Sequence, residues 1–405
     1  MGGGLIQLIA VGVQDIYLIG NPQITFFKTV FKRHTNFALE SIQNAIDGRT
    51  DFGQTIQVQI DRKGDLLKDI VFNILLPQLP SGYYYTNGIG NVLFKQVDLE
   101  IGGQLIDRHY SEWLDIWSQL TVNDSKIGSY DSMVGNYNSI TELENNALQP
   151  LELNVPMFFW FNRDYAMALP LIALQYHDVT LKIHLRDLNS CIRNNTVSTT
   201  LQGYPIMNFR VFADYIYLDM DERRKFAQQS HEYLIEQLQF AEDSTILPSQ
   251  NTISRVLNFN HPVKEIYWVN IKVENEQANI LTGNQQLDYS ITTVLPSETF
   301  NEGLLSLNGI ERFERRTARY FRLVQNYQFH TRYTPKNIYS YSFSLYPEKS
   351  QPSGTCNMSK ITNVTLYLDY TGINRTNTPL LLKVFGSNYN IFRIASGMGG
   401  LSFSN

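Results

Sequence analysis

Cysteine is scarce in this sequence. Of 405 residues only Cys191 and Cys356 are cysteines, and neither belongs to a Cys-x-x-Cys pair. Two cysteines are too few for a disulfide framework, and this sparing use is typical of proteins that assemble in a reducing compartment. A chain of this length can bury roughly 70 to 75 % of its unfolded surface, so it can form a core without disulfides or metals.

Long apolar runs are absent as well. No window approaches 18 uncharged apolar residues, which argues against a transmembrane helix. The apolar stretch 5–13 lacks the basic flank and the cleavage site of a secretory signal, and Ile6 stands where N-myristoylation requires Ser or Thr. We therefore expect a soluble protein that is not secreted, and we assign no glycosylation to its Asn-x-Ser/Thr sequons.

Catalytic and metal-binding motifs are also missing. The seven histidines include no His-x-His pair of the kind that holds a metal in jelly-roll enzymes, and no Gly-x-Ser-x-Gly, His-Glu-x-x-His or phosphate-loop motif occurs. His109 and Glu112 lie at His-x-x-Glu spacing, but no third ligand can be named for them. Asp107 with His109 is a separate and weaker candidate metal pair. We expect no enzymatic activity, no cofactor and no metal site.

Charge is low, with one basic exception. Charged residues make up 18 % of the chain, and the net charge is −5, which argues against a protein whose main task is to neutralise phosphates. Helical spacing over 311–324 would put four arginines on one face. These basic-face candidates are Arg312, Arg315, Arg316 and Arg319. Nucleic-acid binding would use such a face, but no aromatic stacking platform interleaves with the arginines, so inter-subunit ion pairs or a solvated rim are favoured.

Alternating apolar residues are abundant, and 13 % of the chain is aromatic, with 24 tyrosines. A two-residue period predicts strands with one buried face, and tyrosine and phenylalanine favour such strands and subunit contacts. The alternating sets are Ile56, Val58, Ile60; Val97, Leu99, Ile101; Val179, Leu181, Ile183, Leu185; Tyr341, Phe343, Leu345; and Val364, Leu366, Leu368. Helical spacing is limited to 111–121 and to segments near 219–230 and 311–324.

An internal repeat indicates the architecture. The first half contains LKDI at 67–70, LEIGG at 99–103 followed by a helix, and DVTLKIHL at 178–185. The second half contains VKEI at 263–266, LSLNG at 305–309 followed by a helix, and NVTLYL at 363–368. Because the same elements recur in the same order, we predict an all-β fold: two tandem eight-stranded antiparallel jelly-roll sandwiches with short helices in the loops.

The repeat also divides the chain. We predict an N-terminal arm at 1–25, a first jelly roll at 26–219, a linker and helical segment at 220–239 and a second jelly roll at 240–405. Two strand-end loops, 81–91 and 277–289, are the predicted exposed tips.

Seven sequence blocks resemble a known family. They are GGLIQL at 3–8, QDIYL at 14–18, GNPQITFFKTV at 20–30, RHTNFA at 33–38, LPLIALQYH at 169–177, PSGTCN at 352–357 and SGMGGL at 396–401. Together they resemble the major capsid proteins of nucleocytoplasmic large DNA viruses, with the closest likeness to the algal-virus and iridovirus type. The blocks span nearly the whole chain in family order.

The resemblance implies a double jelly-roll chain that forms homotrimers. Three chains would give a pseudo-hexagonal capsomer that tiles an icosahedral shell over an internal membrane, in a virion assembled in the host cytoplasm. The implied partners are further trimers, minor capsid proteins and the membrane side of the shell, without direct genome binding. Three alternatives stay open from the residues: a minor capsid paralogue, a carbohydrate-binding β-sandwich module with tyrosine-rich loops, and a jelly-roll metalloenzyme.

The N-terminal segment is the candidate inter-subunit arm. Its candidate contact residues are Gly2, Gly3, Gly4, Leu5, Ile6, Leu8, Ile16 and Tyr17. Three consecutive glycines make such a segment costly to order, so we expect it to order on a neighbouring subunit, a minor capsid protein or the membrane side of the shell. The alternative is a segment folded under its own sandwich.

Overall fold

The computed structural model describes residues 2–137, 139–291, 297–373, 375 and 378–404. The chain divides into two compact units, Met1–Asn36 and Phe37–Asn405. The smaller unit contains helices α1 (Gly3–Ile9) and α2 (Ile16–Ile19), neither of which has a buried residue. Among the described residues, no helix has the length and apolar character needed to cross a bilayer.

The first part of the larger unit is a sandwich, here called the first roll. Its strands are β1 (Phe37–Asn44), β2 (Ile46–Asp47), β3 (Thr55–Ile60), β4 (Leu66–Leu76), β5 (Tyr83–Tyr85), β6 (Phe94–Ile101), β7 (Gln104–Tyr110), β8 (Leu151–Pro156), β9 (Leu169–Pro170), β10 (Val179–Leu185), β11 (Ile192–Asn194) and β12 (Asn208–Leu218). Its helices are α3 (Ile89–Val92), α4 (Ser111–Thr121), α5 (Asp124–Val134), α6 (Ile140–Ala147) and α7 (Trp160–Arg163), with 3₁₀ turns at Tyr165–Met167, Leu171–Ala173 and Leu188–Ser190.

The second part is another sandwich, the second roll. Helix α8 (Met220–Gln228) precedes it. Its strands are β13 (His231–Ile246), β14 (Thr252–Val256), β15 (Pro262–Lys272), β16 (Glu302–Leu307), β17 (Ile310–Glu311), β18 (Arg316–Thr317), β19 (Tyr339–Ser342), β20 (Cys356–Asn357), β21 (Val364–Asp369), β22 (Leu380–Ala395) and β23 (Met398–Leu401). Its helices are α9 (Val273–Glu276), a π-helix (Tyr320–Gln325), α10 (Asn326–Phe329) and a 3₁₀ turn (Met358–Lys360).

The two rolls have the same antiparallel strand order within the described residues. The sheets of the first roll run β1-β12-β4-β8 and β2-β3-β10-β6-β7, and those of the second run β13-β22-β15-β19 and β14-β21-β16-β17. Each repeated motif falls on equivalent strands: LKDI and VKEI on β4 and β15, and the two Val-Thr-Leu blocks on β10 and β21. This arrangement confirms the double jelly-roll prediction.

Strict alternation accounts for the sheets. In β3 every second residue is buried, and β10 alternates in the same way, so one face of each strand enters the first core while the other stays accessible. The second roll has its own core around Trp268, Phe300 and Tyr339. Helices were predicted at 111–121 and near 219–230, and α4 and α8 confirm them. The first strand begins at Phe37 and β13 at His231, and the predicted domain boundaries stay predictions.

The third predicted helix, near 311–324, is wrong over most of its length. The chain forms short strands β17 and β18 on the edge of β16, and helical backbone starts only at Ala318. The charged residues mimic helical spacing, but pairing with β16 satisfies the backbone instead. The alternation through Tyr341, Phe343 and Leu345 likewise extends past the strand, because β19 ends at Ser342.

The loops predicted as exposed tips are largely buried. In 81–91 the three tyrosines of β5 are at most 8 % exposed, and the Tyr84 and Tyr85 hydroxyls donate to Asn195 Oδ1 and to the Pro77 carbonyl, both at 2.7 Å. The loop 277–289 packs beside it, where Thr86 Oγ1 donates to the Asn284 carbonyl at 3.0 Å. Residues 81–82 and most of the stretch 277–282 are exposed. The two loops, one from each roll, therefore form part of a junction between the rolls.

Candidate assembly surfaces

Helix α4 joins the two rolls. Leu114 lies in the core of the first roll, while the opposite side of the helix packs on a sheet face of the second. The residues of this contact, here called the inter-roll seam, are Trp113, Ile116, Trp117 and Leu120 of α4 with Tyr267, Val269, Ile271, Tyr289, Ile338 and Phe385. The Trp113 ring lies edge-on to Tyr267 at 5.2 Å between centroids, a geometry that adds to the apolar burial.

A buried ion cluster lies beside the seam. Lys383 Nζ on β22 is 2.8 Å from Glu112 Oε1 on α4 and 2.8 Å from Glu276 Oε1, and Arg186 Nη2 is 3.7 Å from Glu112. Burial raises the pKa of Glu112, but the attraction of Lys383 and Arg186 outweighs it and lowers that pKa to about 2. Burial lowers the pKa of Lys383, but the two glutamates outweigh it and raise that pKa. Glu112 and Lys383 therefore form an ionised pair between the rolls.

A second ion cluster also spans the rolls. Arg163 of α7 pairs with Glu236 of β13, whose Oε2 lies 2.5 Å from Lys264 Nζ on β15. The Arg163 guanidinium also lies 3.9 Å from the centroid of the Trp117 ring, close enough for a strong cation–π contact. Lys264 is fully buried, and burial lowers its pKa, against the opposing attraction of Glu236. These contacts fix the first roll to the second.

Asp107 and His109, the weak candidate metal pair, form contacts within the protein instead. His109 Nε2 is 3.1 Å from Asp107 Oδ2, and the imidazole stacks on Phe159 at 4.3 Å between centroids. Asp107 Oδ1 accepts a hydrogen bond from the Leu238 backbone N–H of the second roll at 2.9 Å. Glu112 is engaged by Lys383, as described above. Within the described residues, no group of three or more His, Cys, Asp or Glu side chains could hold a metal ion.

The N-terminal unit presents apolar side chains to solvent. Its candidate arm residues are exposed by 52 % at Leu5, 63 % at Ile6, 75 % at Leu8, 60 % at Ile16 and 90 % at Tyr17, and Gly2, Gly3 and Gly4 are exposed as well. Sequence reasoning left out a further exposed group that follows it: Ile24, Phe26, Phe27, Val30 and Phe31. The N-terminal unit therefore exposes apolar side chains along most of its length.

The candidate basic residues do not share a helix face. Arg312 and Arg315 lie between strands, Arg316 is in β18, and Arg319 immediately precedes the π-helix. All four are exposed, in contrast to Arg322, which is 2 % exposed and pairs with Glu298 at 2.6 Å. The four form an exposed basic stretch along the chain.

His330 forms a buried cluster that sequence reasoning missed. Its Nε2 is 2.8 Å from Glu265 Oε1 and its Nδ1 is 3.0 Å from Glu348 Oε1, while the Tyr267 hydroxyl donates to Glu265 Oε2 at 2.7 Å. Burial lowers the pKa of His330, but the two carboxylates outweigh it and raise that pKa to about 9. An isolated histidine in a sequence carries no signal of such partners.

This cluster predicts a loss of stability in alkaline solution. The folded pKa of His330, about 9, lies above its ordinary value of 6.5, so the stabilisation is complete below pH 6.5 and is lost as the pH rises through 9. We expect the free energy of unfolding to fall by about 3 kcal/mol between pH 6.5 and 9.5. Denaturant unfolding across this pH range measures this fall in the free energy of unfolding. His330→Gln should be less stable at pH 6.5 and lose this pH dependence; an equal fall in both proteins would contradict the assignment.

Comparison with known proteins places the chain in a family. Residues 25–219 match the model described as the major capsid protein N-terminus, and residues 222–400 match the model described as the large eukaryotic DNA virus major capsid protein. This chain is 43 % identical to the major capsid protein of Pyramimonas orientalis virus and 41 % identical to that of Paramecium bursaria Chlorella virus 1. Each alignment covers the full length of both proteins.

A solved structure agrees with these relatives. The quasi-atomic model of the PBCV-1 virus capsid superimposes with a TM-score of 0.80 at 36 % identity, covering 94 % of this chain and all of that one. The agreement in sequence and fold confirms the resemblance found in the sequence blocks. The chain belongs to the major capsid protein family of large eukaryotic DNA viruses.

Proposed function

We propose that three copies of this chain form a capsomer with a near six-fold outline, and that these capsomers tile the outer shell of a large DNA virus. One observation carries the proposal: two rolls with the same strand order are held as one unit by the inter-roll seam and two ion clusters. Three-fold symmetry acting on two similar rolls produces six similar units around one axis. The role is structural, without turnover of a substrate.

The N-terminal unit is proposed to be an arm that becomes ordered on contact with another component of the virion. Its exposed apolar residues suit an apolar surface on a neighbouring subunit, a minor capsid protein or the membrane side of the shell. Three glycines near its start raise the entropic cost of ordering, which favours ordering upon contact. Assembly in the host cytoplasm fits the two cysteines, both of which are free thiols.

The exposed basic stretch is proposed to form ion pairs with neighbouring subunits. Arg312, Arg315, Arg316 and Arg319 are exposed, while the whole chain carries a net charge of −5, so another copy supplies acidic partners. Exposed pairs of this kind are weak and screened by salt, which suits contacts that must be corrected while a shell grows. Direct genome binding is not part of the proposal.

Light scattering after size exclusion tests the trimer. Three chains of 46.7 kDa give about 140 kDa, and this mass should be the same at low and high salt if apolar burial holds the trimer. A clean monomer at micromolar concentration would contradict autonomous trimer formation. A trimer that dissociates at high salt would contradict the apolar interface.

A further inference from the structure

The second roll carries an exposed counterpart of the helix surface that the first roll uses at the seam. Phe321 anchors the π-helix in the second core as Leu114 anchors α4 in the first. In α4, Trp117 and Leu120 follow Leu114 by three and six residues. In the second roll, Val324 and Tyr327 follow Phe321 at the same spacing. Trp117 and Leu120 are at most 4 % exposed, whereas Val324 is 40 % and Tyr327 is 87 % exposed. The second surface is therefore more exposed than the surface at the seam.

The first roll carries the matching sheet face. At the seam α4 covers Tyr267, Val269 and Ile271 of β15 with Phe385 of β22, all fully buried. The repeated motifs align β15 with β4, so the equivalent positions on β4 are Val71, Asn73 and Leu75. The sheet registers agree, because Tyr267 stands opposite Phe385 and Val71 opposite Phe212. Val71, Leu75 and Phe212 are only half-buried.

We infer that Val324 and Tyr327 of one chain dock on the sheet face formed by Val71, Leu75 and Phe212 of a second copy. The inference rests on the proposed trimer and specifies its interface. A second copy is the occupant because the same contact, helix on sheet, already exists between the rolls of one chain. Each chain then offers a helix to one neighbour and a sheet to the other, a head-to-tail contact that closes into a ring.

The contact between chains differs from the seam in its charges. Arg319 occupies the position equivalent to Glu112, because it stands two residues before the anchor Phe321 as Glu112 stands two before Leu114. Arg210 is equivalent to Lys383, because Arg210 pairs with Asn73 in the sheet as Lys383 pairs with Val269. Both equivalent residues are cations. The buried ion pair of the seam is therefore not repeated. Glu152, which accepts a hydrogen bond from Asn73 at 2.7 Å, is the acidic side chain beside this position. The apolar part of the contact between chains is formed by Val324 and Tyr327 against Val71, Leu75 and Phe212.

Cysteine cross-linking tests the interface. The variant Val71→Cys/Tyr327→Cys is treated with a short bismaleimide and separated on a denaturing gel. We expect several-fold more covalent dimer and trimer than from the control variant Val71→Cys/Tyr346→Cys. Tyr346 is a suitable control because it is also exposed, at 58 %, but lies outside the π-helix and α10. Variants that carry only one of the introduced cysteines measure the background cross-linking through the native cysteines, of which Cys191 is buried.

Light scattering on the same samples separates the two proposals. A 71/327 variant that is trimeric but gives no more cross-link than the control pair would overturn this interface and leave the trimer standing. A wild-type chain that stays monomeric would overturn both.

If the double variant fails to assemble while wild type is trimeric, Tyr327→p-benzoylphenylalanine keeps an aromatic ring at that position. Photocross-linked peptides from β4 or β12 of another chain would then support the interface, and peptides from elsewhere would overturn it.

Discussion

Lys383→Met should lower the free energy of unfolding by about 3 to 5 kcal/mol, because it leaves the buried Glu112 carboxylate without its nearest cation, and Arg186 lies 3.7 Å away. Lys383 is the shared cation between Glu112 and Glu276, at 2.8 Å from each. The Glu112 carboxylate is ionised at neutral pH, given its pKa of about 2, and is 4 % exposed. Removal of the ammonium group places two acidic side chains together in a buried junction. Denaturant unfolding at neutral pH measures the loss.

A matched surface pair and a double variant control this experiment. Lys182→Met removes a cation 2.7 Å from Glu100, but the Lys182 side chain is 40 % exposed, so we expect a change within about 1 kcal/mol. Lys383→Met/Glu112→Gln removes the isolated negative charge as well and should recover a large part of the loss. If Lys383→Met costs no more than Lys182→Met, the pair does not stabilise the junction.

The repeat and the alternation made most of the fold predictable. An alternating strand needs only a two-residue period in the sequence, and β3, β10 and α4 lie where their patterns place them. The order of motifs in the two halves also gave the tandem architecture. Short edge strands escaped prediction, because β17 and β18 exist only through pairing with β16. That pairing is a tertiary contact, which a local pattern of charges does not encode.

The buried charges of the junction were not predictable in the same way. Lysine and glutamate are usually exposed, so Lys383 and Glu112 read as surface residues until the two rolls are brought together. One usable signal was present: Lys68 and Lys264 occupy the same position of the repeated motif inside buried strands, and they are 4 % and 0 % exposed. A cation repeated at an interior position predicts a buried partner. The identity of that partner depends on the tertiary fold.

Trp113→Ala should cost about 3 to 5 kcal/mol and should also uncouple the unfolding of the two rolls. Trp113 is 1 % exposed and contacts Tyr267 and Phe385 across the seam, so its removal leaves a cavity between the rolls while each core keeps its own residues. In calorimetry we expect the single transition of the wild type to split into two. The proportion of trimer should fall as well, because the seam fixes the angle between the rolls and a ring closes only at one angle.

Trp268→Ala separates this effect from a general loss of core packing. Trp268 is equally buried, at 1 % exposed, but it lies inside the second core, against Phe321 and Tyr339. Its removal should lower the stability of the second roll by a similar amount and leave the seam residues in place. One cooperative transition for Trp113→Ala with an unchanged proportion of trimer would contradict the role of the seam. Two transitions together with loss of trimer would show that the fixed angle between two similar rolls, set by one helix, underlies assembly.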